Sequence, residues 1–516
     1  MDLHAYEWIV GLGGLFAFTT AYGIGANDVA NAFATSIGSG ALSIKKAVLF
    51  ASIFEFSGAL LMGSHVTDTI RKGIADYSCF EDDPAILMYG CMCVLASMSV
   101  WLILASHLEM PVSTTHSCVG GMIGMTMASR GVSCVTWNKS TSRFPFIKGV
   151  SSIIASWLIS PFIASIFTSC FFYIIRTTVL RKENAYQRSL WVFPFLLGTT
   201  ICINTFFIVY KGAKFLKLDN TPIGIAFAWA FGIGGGVALL SLLFMPQLKR
   251  VTEHAISKNN NHNVLEDSEK LKEIVINYDD MKLHERIYTY IKNAINMDPK
   301  EIVKKDETIM DIHENAEKFD ENAEISMRYL QIITACCGAF AHGANDVANS
   351  IAPFGAIWSV YKSGELSDKK NDLGSDAYWI LSLGAAGIVI GLATFGYKIM
   401  NVLGTKLTKI TPSRGACIEL GSACVIIMGS RLGWPLSTTH CQVGATMGVA
   451  ALEDPKNCKG MNCAVVGKTF LGWILTLLAV GCTSALLVAY SVYAPCIGTM
   501  YANDTFVNGS NFTTMM

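Results

Sequence analysis

The chain has 516 residues, 52% of them hydrophobic and 15% charged, with no formal net charge. Soluble domains carry about 25% charged residues, so this chain has too few charges to cover a soluble surface of its size. The even charge balance also excludes the basic signature of a nucleic-acid binder.

The first residues, MDLHAYEW, lack the basic start of a cleaved signal peptide. A helix crossing the hydrocarbon core needs about 20 mostly apolar residues. Such spans are expected near 7–24, 47–64, 86–107, 111–128, 149–175, 190–210 and 222–246, then near 329–352, 377–396, 416–432, 435–452 and 464–490. The polar, charge-mixed stretch 249–328 separates a first membrane block, 1–248, from a second, 329–495, with a tail at 496–516. Within that stretch, 268–295 places Leu271, Ile274, Val275, Ile287, Ile291 and Ile295 at helical spacing and is expected to form surface helices. The stretch reads as a linker, or alternatively as a regulatory or partner-binding element.

Lys and Arg in short loops set the orientation. Lys45 and Lys46, the loop with Arg176, Arg181, Lys182 and Arg188, and the loop with Lys406, Lys409 and Arg414 all fall on one side, the expected cytoplasm. Both termini then lie outside, as do 80–84 and 128–146. The glycosylation sequons at Asn138, Asn503, Asn508 and Asn511 fall on that outer side too. The 16 cysteines are scattered through apolar runs and read as buried thiols, not as a disulfide framework or a zinc site.

GANDVAN occurs at 25–31 and again at 343–349; PVSTTH at 111–116 recurs as PLSTTH at 435–440. Gly120 and Gly124 match Gly444 and Gly448, so the chain is an internal duplication. With the orientation above, the copies run in opposite senses. Inverted repeats are the architecture of many secondary transporters, which bind substrate near the midplane at discontinuous helices. The fold expected is therefore an all-α polytopic membrane protein of about twelve transmembrane helices, with inverted repeats and broken or re-entrant helices at the substrate site. The spans at 190–210 and 222–246 have no counterpart and form an inserted pair.

Ionisable residues within a membrane are costly and mark functional sites. Asn27 and Asp28, and Asn345 and Asp346, sit among small residues that let the backbone unwind and offer carbonyls. Carboxylate, amide oxygen and carbonyl together make an oxygen cage of the kind sodium uses. In PVSTTH, Pro suits a first helical turn. Ser113, Thr114 and Thr115 then line a helix N-terminus, as do Ser437, Thr438 and Thr439, where free N–H groups and hydroxyls favour a small oxyanion. Ser113 with His116 does not read as a hydrolase, since no third orienting group follows. His116 and His440 read as packing residues or supporting donors, with a proton relay as the alternative. Glu55 and Glu419 lie in apolar spans at non-equivalent places and read as ligands or proton carriers, with a buried structural hydrogen-bond partner as the alternative.

These two motif pairs, in this order around a central loop, resemble the PiT family of inorganic phosphate transporters over roughly 1–250 and 325–495. The segments TIRKGI at 69–74 and TPSRGACIEL at 411–420 are similar to family segments as well. The resemblance implies sodium binding by Asn27, Asp28, Asn345 and Asp346, phosphate contact by 113–115 and 437–439, and a need for Glu55 and Glu419 in transport. Several relatives carry a glutamate where this chain has Cys91. A second copy of the chain is the partner that the resemblance implies. The expected function is import of inorganic phosphate coupled to sodium at the plasma membrane, by alternating access of the two repeats. No catalytic residue, cofactor or nucleic acid is expected, and sodium is the only metal. A proton-driven symporter and a phosphate sensor signalling through 249–328 are the alternatives.

Overall fold

The computed structural model describes residues 3–28, 30–140, 146–210, 218, 221–266, 306–364, 366, 373–396, 399–400, 402–432, 434, 436–453 and 460–493. The helices expected within 268–295 and the sequons at Asn503, Asn508 and Asn511 lie outside the described residues.

The first half contains α1 (Glu7–Asn27), α2 (Ala30–Gly38), α3 (Ile44–Met62), α4 (Ser64–Gly73), α5 (Pro84–His107), α6 (Thr114–Arg130) and α7 (Val150–Ile175). The pair α8 (Ala185–Val209) and α9 (Ile223–Glu266) follows. The second half contains α10 (Glu307–Asn315), α11 (Glu321–Ser363), α12 (Asp376–Phe395), α13 (Pro412–Leu432), α14 (Thr438–Glu453) and α15 (Cys463–Tyr493). Every expected span coincides with one of these helices. Local sequence explains several starts. Asp83 accepts from the Ala85 N–H ahead of Pro84 in the first turn of α5, and Asp320 accepts from the Ala323 N–H with Glu321 and Glu324 beside it.

Among the described residues, 7 helical segments are long and apolar enough to cross a membrane. Of the other expected spans, α6 and α14 hold 17 and 16 residues. At 1.5 Å per residue they reach roughly 25 Å, short of the ~30 Å hydrocarbon core. They are the returning arms of the hairpins α5–α6 and α13–α14, whose tips meet inside the protein.

The duplicated elements pack crosswise. α1 lies on α12 while α11 lies on α3; α6 lies on α15 while α14 lies on α7. Close approach fixes the register. A Cβ on Gly25 would sit 1.9 Å from the Ile388 carbonyl oxygen, and one on Gly343 would sit 2.2 Å from that of Glu55. Ile388 and Glu55 are therefore equivalent positions, and the duplication has an acid in one copy only.

Unwinding was expected at both GANDVAN copies. The structure interrupts the helix at Asp28, between α1 and α2, but α11 runs unbroken through the second copy. Asn345 and Asp346 thus offer side chains alone, with their carbonyls held in the helical ladder. α11 is anchored by neighbours along its length, including α3, α5, α8 and α13.

The cysteine expectation needs correction. Cys79 and Cys134 form a disulfide. It joins the loop after α4 to the loop after α6, where an isolated bridge also pairs Ala75 with Val135. Both loops fall on the expected exterior, where oxidising conditions favour the bond; their spacing, 55 residues, carries no sequence signal. Asn138 is exposed beside the small hairpin of Lys139–Ser140 and Ile147–Lys148 on the same side.

On the opposite side, Arg414 is 1% exposed and donates to Glu453 Oε1 from Nε at 2.9 Å and Nη2 at 2.7 Å. Arg176 and Arg181 pair with Glu317 at 2.7 Å each. Partial burial works against the Glu317 carboxylate, but the Arg181 hydrogen bond and the Arg176, Arg181 and Arg414 charges outweigh it and hold the group below its ordinary range. This cluster ties the end of the 249–328 stretch to the ends of α7, α13 and α14.

Candidate functional site

The two hairpin tips converge on the two Asn-Asp pairs, and every site residue named from these motifs is at most 2% exposed. Asn27 fastens the first tip. Its Nδ2 donates to Ser106 Oγ at 3.2 Å and the Met110 carbonyl at 3.0 Å, and its Oδ1 accepts from the Val112 N–H at 3.0 Å. Asn345 fastens the second tip, donating to Asp346 Oδ1 and to the Leu436 carbonyl at 2.9 Å each. Both asparagines are thus tip fasteners.

The aspartates meet the helix N-termini directly. Asp28 Oδ2 accepts from the Thr114 hydroxyl at 2.6 Å and the Thr114 N–H at 3.3 Å, and Oδ1 accepts from Thr439 at 2.9 Å. Asp346 Oδ2 accepts from Thr438 at 2.6 Å. Thr115 donates across to the Leu436 carbonyl at 3.0 Å, and the Thr439 hydroxyl shares its one proton between Asp28 at 2.9 Å and the Val112 carbonyl at 3.2 Å, so each tip is stitched to the other. Ser113 and Ser437 are helix caps, accepting from the N–H groups of His116 and His440 at 3.3 Å. The structure therefore brings together all of 113–115, 437–439, Asp28 and Asp346. The carboxylates occupy the hydroxyl and amide donors that an oxyanion would use.

Glu55 and Glu419 stand one layer out, in different settings. Glu55 Oε2 lies 3.0 Å from His342 Nδ1, and His342 Nε2 lies 2.7 Å from Asp346 Oδ2. Asp28, His342 and Asp346 each bring one ligand atom within 4.8 Å of the others, a cluster able to hold a cation. Glu419 accepts from Thr35 at 2.5 Å, Ser36 at 2.7 Å and Gln331 at 3.4 Å on Oε1, and from Thr334 at 2.6 Å on Oε2. It joins α2, α11 and α13. A cavity about the size of one water lies between Glu419 and His342, lined also by Thr438 and Gln442.

Sequence reasoning missed His342, Asn349 and the hydroxyls around Glu419. Asn349 donates to Thr114 Oγ1 at 3.1 Å and Thr115 Oγ1 at 3.3 Å. It is the last residue of the motif already singled out. His342 precedes the second GANDVAN by one residue and sits one helical turn before Asp346, a spacing that puts both on one face. Its counterpart in the first copy is Ile24.

The chain matches the family model described as "Phosphate transporter family" over residues 24–484. It is 30% identical to the phosphate-repressible phosphate permease pho-4 of Neurospora crassa, covering 96% of this chain and 99% of that one. It is 33% identical to a putative phosphate permease of Pyrococcus horikoshii, over 93% and 97% of the two chains. Sodium-dependent phosphate transporter 2 of Felis catus is 27% identical over 96% and 99%. A solved structure described as the sodium-dependent phosphate transporter superposes with a TM-score of 0.71 at 28% identity, covering 94% of this chain and all of that one.

Proposed function

We propose, given that this chain belongs to the phosphate transporter family, that it imports phosphate by coupling it to sodium. Phosphate transport itself follows from the family, and the chain is a membrane transporter, not an enzyme. The coupling cation and the mechanism are our reading. It rests on one observation: Asp28 and Asp346 hold the donors of both Ser-Thr-Thr termini.

An anion and a carboxylate compete for the same donors. Sodium bound to Asp28 and Asp346 draws the carboxylates away and neutralises them. Thr114, Thr438, Thr439 and the N–H groups of the first turns are then free for phosphate. Asn27 and Asn345 keep the tips closed while the exchange occurs, and the second lone pairs of their Oδ1 atoms, which accept from the Val112 N–H and the Ser430 hydroxyl, face the sodium shell. Without sodium, phosphate meets occupied donors and two negative charges. With all ligands bound, the two oppositely oriented repeats rock about the fixed site and open to the other side. The cycle runs at the plasma membrane with both termini outside and 249–328 in the cytoplasm. Sodium and phosphate are both cargo.

The discriminating test is radiolabelled phosphate uptake into proteoliposomes, driven by an inward sodium gradient or an inward proton gradient. Sodium-driven uptake that is lost in Asp28→Asn and Asp346→Asn, with both variants monodisperse, supports the exchange. Normal sodium-driven uptake in both variants sinks it. A second reading, proton coupling, is favoured by the one-sided chain Glu55–His342–Asp346. Uptake driven by protons alone would move the coupling role there.

A further inference from the structure

Two imidazoles stand immediately after the Ser-Thr-Thr runs and take no part in the carboxylate network. His116 and His440 form the middle of a four-ring column. His116 stacks on Trp157 of α7 and His440 on Trp473 of α15, each with centroids 3.6 Å apart, and the two imidazoles are 4.7 Å apart. The tryptophans are related by the duplication. A Cβ on Gly120 would strike the Leu477 carbonyl and one on Gly444 the Pro161 carbonyl, each four residues beyond a tryptophan. Neither indole N–H finds a partner among the described residues, so the tryptophans act through their faces.

One hydrogen bond breaks the symmetry. His440 Nδ1 lies 3.0 Å from the Trp157 carbonyl oxygen. A carbonyl only accepts, so this nitrogen carries the proton. The equivalent bond would run from His116 Nδ1 to the Trp473 carbonyl. It is not made: His116 Nδ1 is buried with no partner among the described residues. A buried nitrogen without a partner is costly, and here its twin across the column is satisfied.

We propose that the column is a two-position latch. The His440–Trp157 bond holds the state seen here, and a His116–Trp473 bond replaces it in the oppositely facing state. The proposal rests on the alternating-access reading, in which the two repeats exchange shapes. His116 Nδ1 and His440 Nε2 are both buried without a partner among the described residues; exchanging the one Nδ1 bond for its twin breaks one bond and makes one, so the two states remain close in free energy. The stacked rings persist in both, keeping the two helix N-termini in register while α7 and α15 shift against α14 and α6. His116 and His440 are positioning residues for the phosphate-binding termini.

Hydrogen–deuterium exchange of the full-length protein in nanodiscs, read at the first turns of α6 and α14, tests this. His440→Phe keeps a stacking ring and removes the donor. The state ratio is expected to shift about fivefold, the equivalent of one net hydrogen bond, with opposite changes in exchange at the two helices. His116→Phe is expected to shift it the other way. His440→Asn, whose amide nitrogen stands near the place of Nδ1, restores the wild-type balance. If a phenylalanine variant does not fold, the corresponding glutamine variant, which moves the donor away from the Nδ1 position, gives the same reading. Shifts in one direction for both histidines, or none for either, overturn the latch. Sodium-driven uptake by wild-type protein from the same preparation reports separately on the transport reading, whose failure leaves the exchange result interpretable.

Discussion

At the residue scale, the site is a set of competing pairs. Thr438 gives its proton to Asp346 at 2.6 Å, and the exchange model gives the same proton to phosphate once sodium has bound. Thr438→Val removes a donor from the bound anion and, in the sodium-free state, the donor that competes with sodium for the Asp346 carboxylate. The half-saturating phosphate concentration should rise tenfold or more, since a hydrogen bond to a charged group is worth about 1.5–3 kcal/mol. The half-saturating sodium concentration should not rise, and Thr438→Ser should restore the phosphate value. Initial-rate uptake at varied sodium and phosphate would show a failure as equal loss for both ions. These motif residues were legible because polar residues repeated in apolar sequence have few structural uses. His342 was not, because a lone histidine beside a motif carries no periodic signal. Its partner Glu55 is far away in sequence and reaches it only through the close approach at Gly343.

At the scale of elements, close crossings decide what the helices can tolerate. Gly343→Ala would place a methyl 2.2 Å from the Glu55 carbonyl oxygen, so α3 must move off α11. Overpacking of this kind costs about 1–3 kcal/mol, and here it also displaces Glu55 from His342. The variant should show a lower melting temperature in detergent. Gly338→Ala, which has open space around the position, should not. Equal melting of both would contradict the crossing. The helices themselves were readable from apolar length, because each expected span met one. Their division of labour was not. Apolar length counted α6 and α14 as full crossings, whereas they are shortened arms whose capped N-termini end inside the protein. The same sequence motif breaks a helix at Asp28 and continues one at Asp346. The local residues are identical, so surrounding contacts decide the difference.

At the scale of the whole molecule, the two faces are held by different chemistry. On the expected exterior, the Cys79–Cys134 bond ties the loops after α4 and α6. Maleimide labelling under non-reducing denaturation should leave these two cysteines unmodified, and prior reduction should add two labels. Cys79→Ser should lower the melting temperature, with loss of a native disulfide worth about 2–5 kcal/mol. On the other face, Glu317 sits below its ordinary value of 4.5. A carboxylate depressed by folding contributes stability that is present above its unfolded value and lost as pH falls through its folded one. Melting temperature should therefore fall below about pH 4.5, and Glu317→Gln should flatten that fall. An unchanged profile in the variant would assign the acid sensitivity elsewhere.

Crosswise packing has a consequence for synthesis. α1 finds its partner in α12, and α3 finds its partner in α11. Chains elongate at about 5–20 residues per second. α1 therefore has α5 beside it but waits on the order of tens of seconds in the membrane for α12, as α3 does for α11. Asp28 can already take the donors of Thr114 within the first half, but Glu55, whose partner His342 lies in the second half, faces lipid or a transient companion throughout that interval. The nascent first half is a distinct species, and the insertion machinery must shelter Glu55 until the second half arrives to cover it.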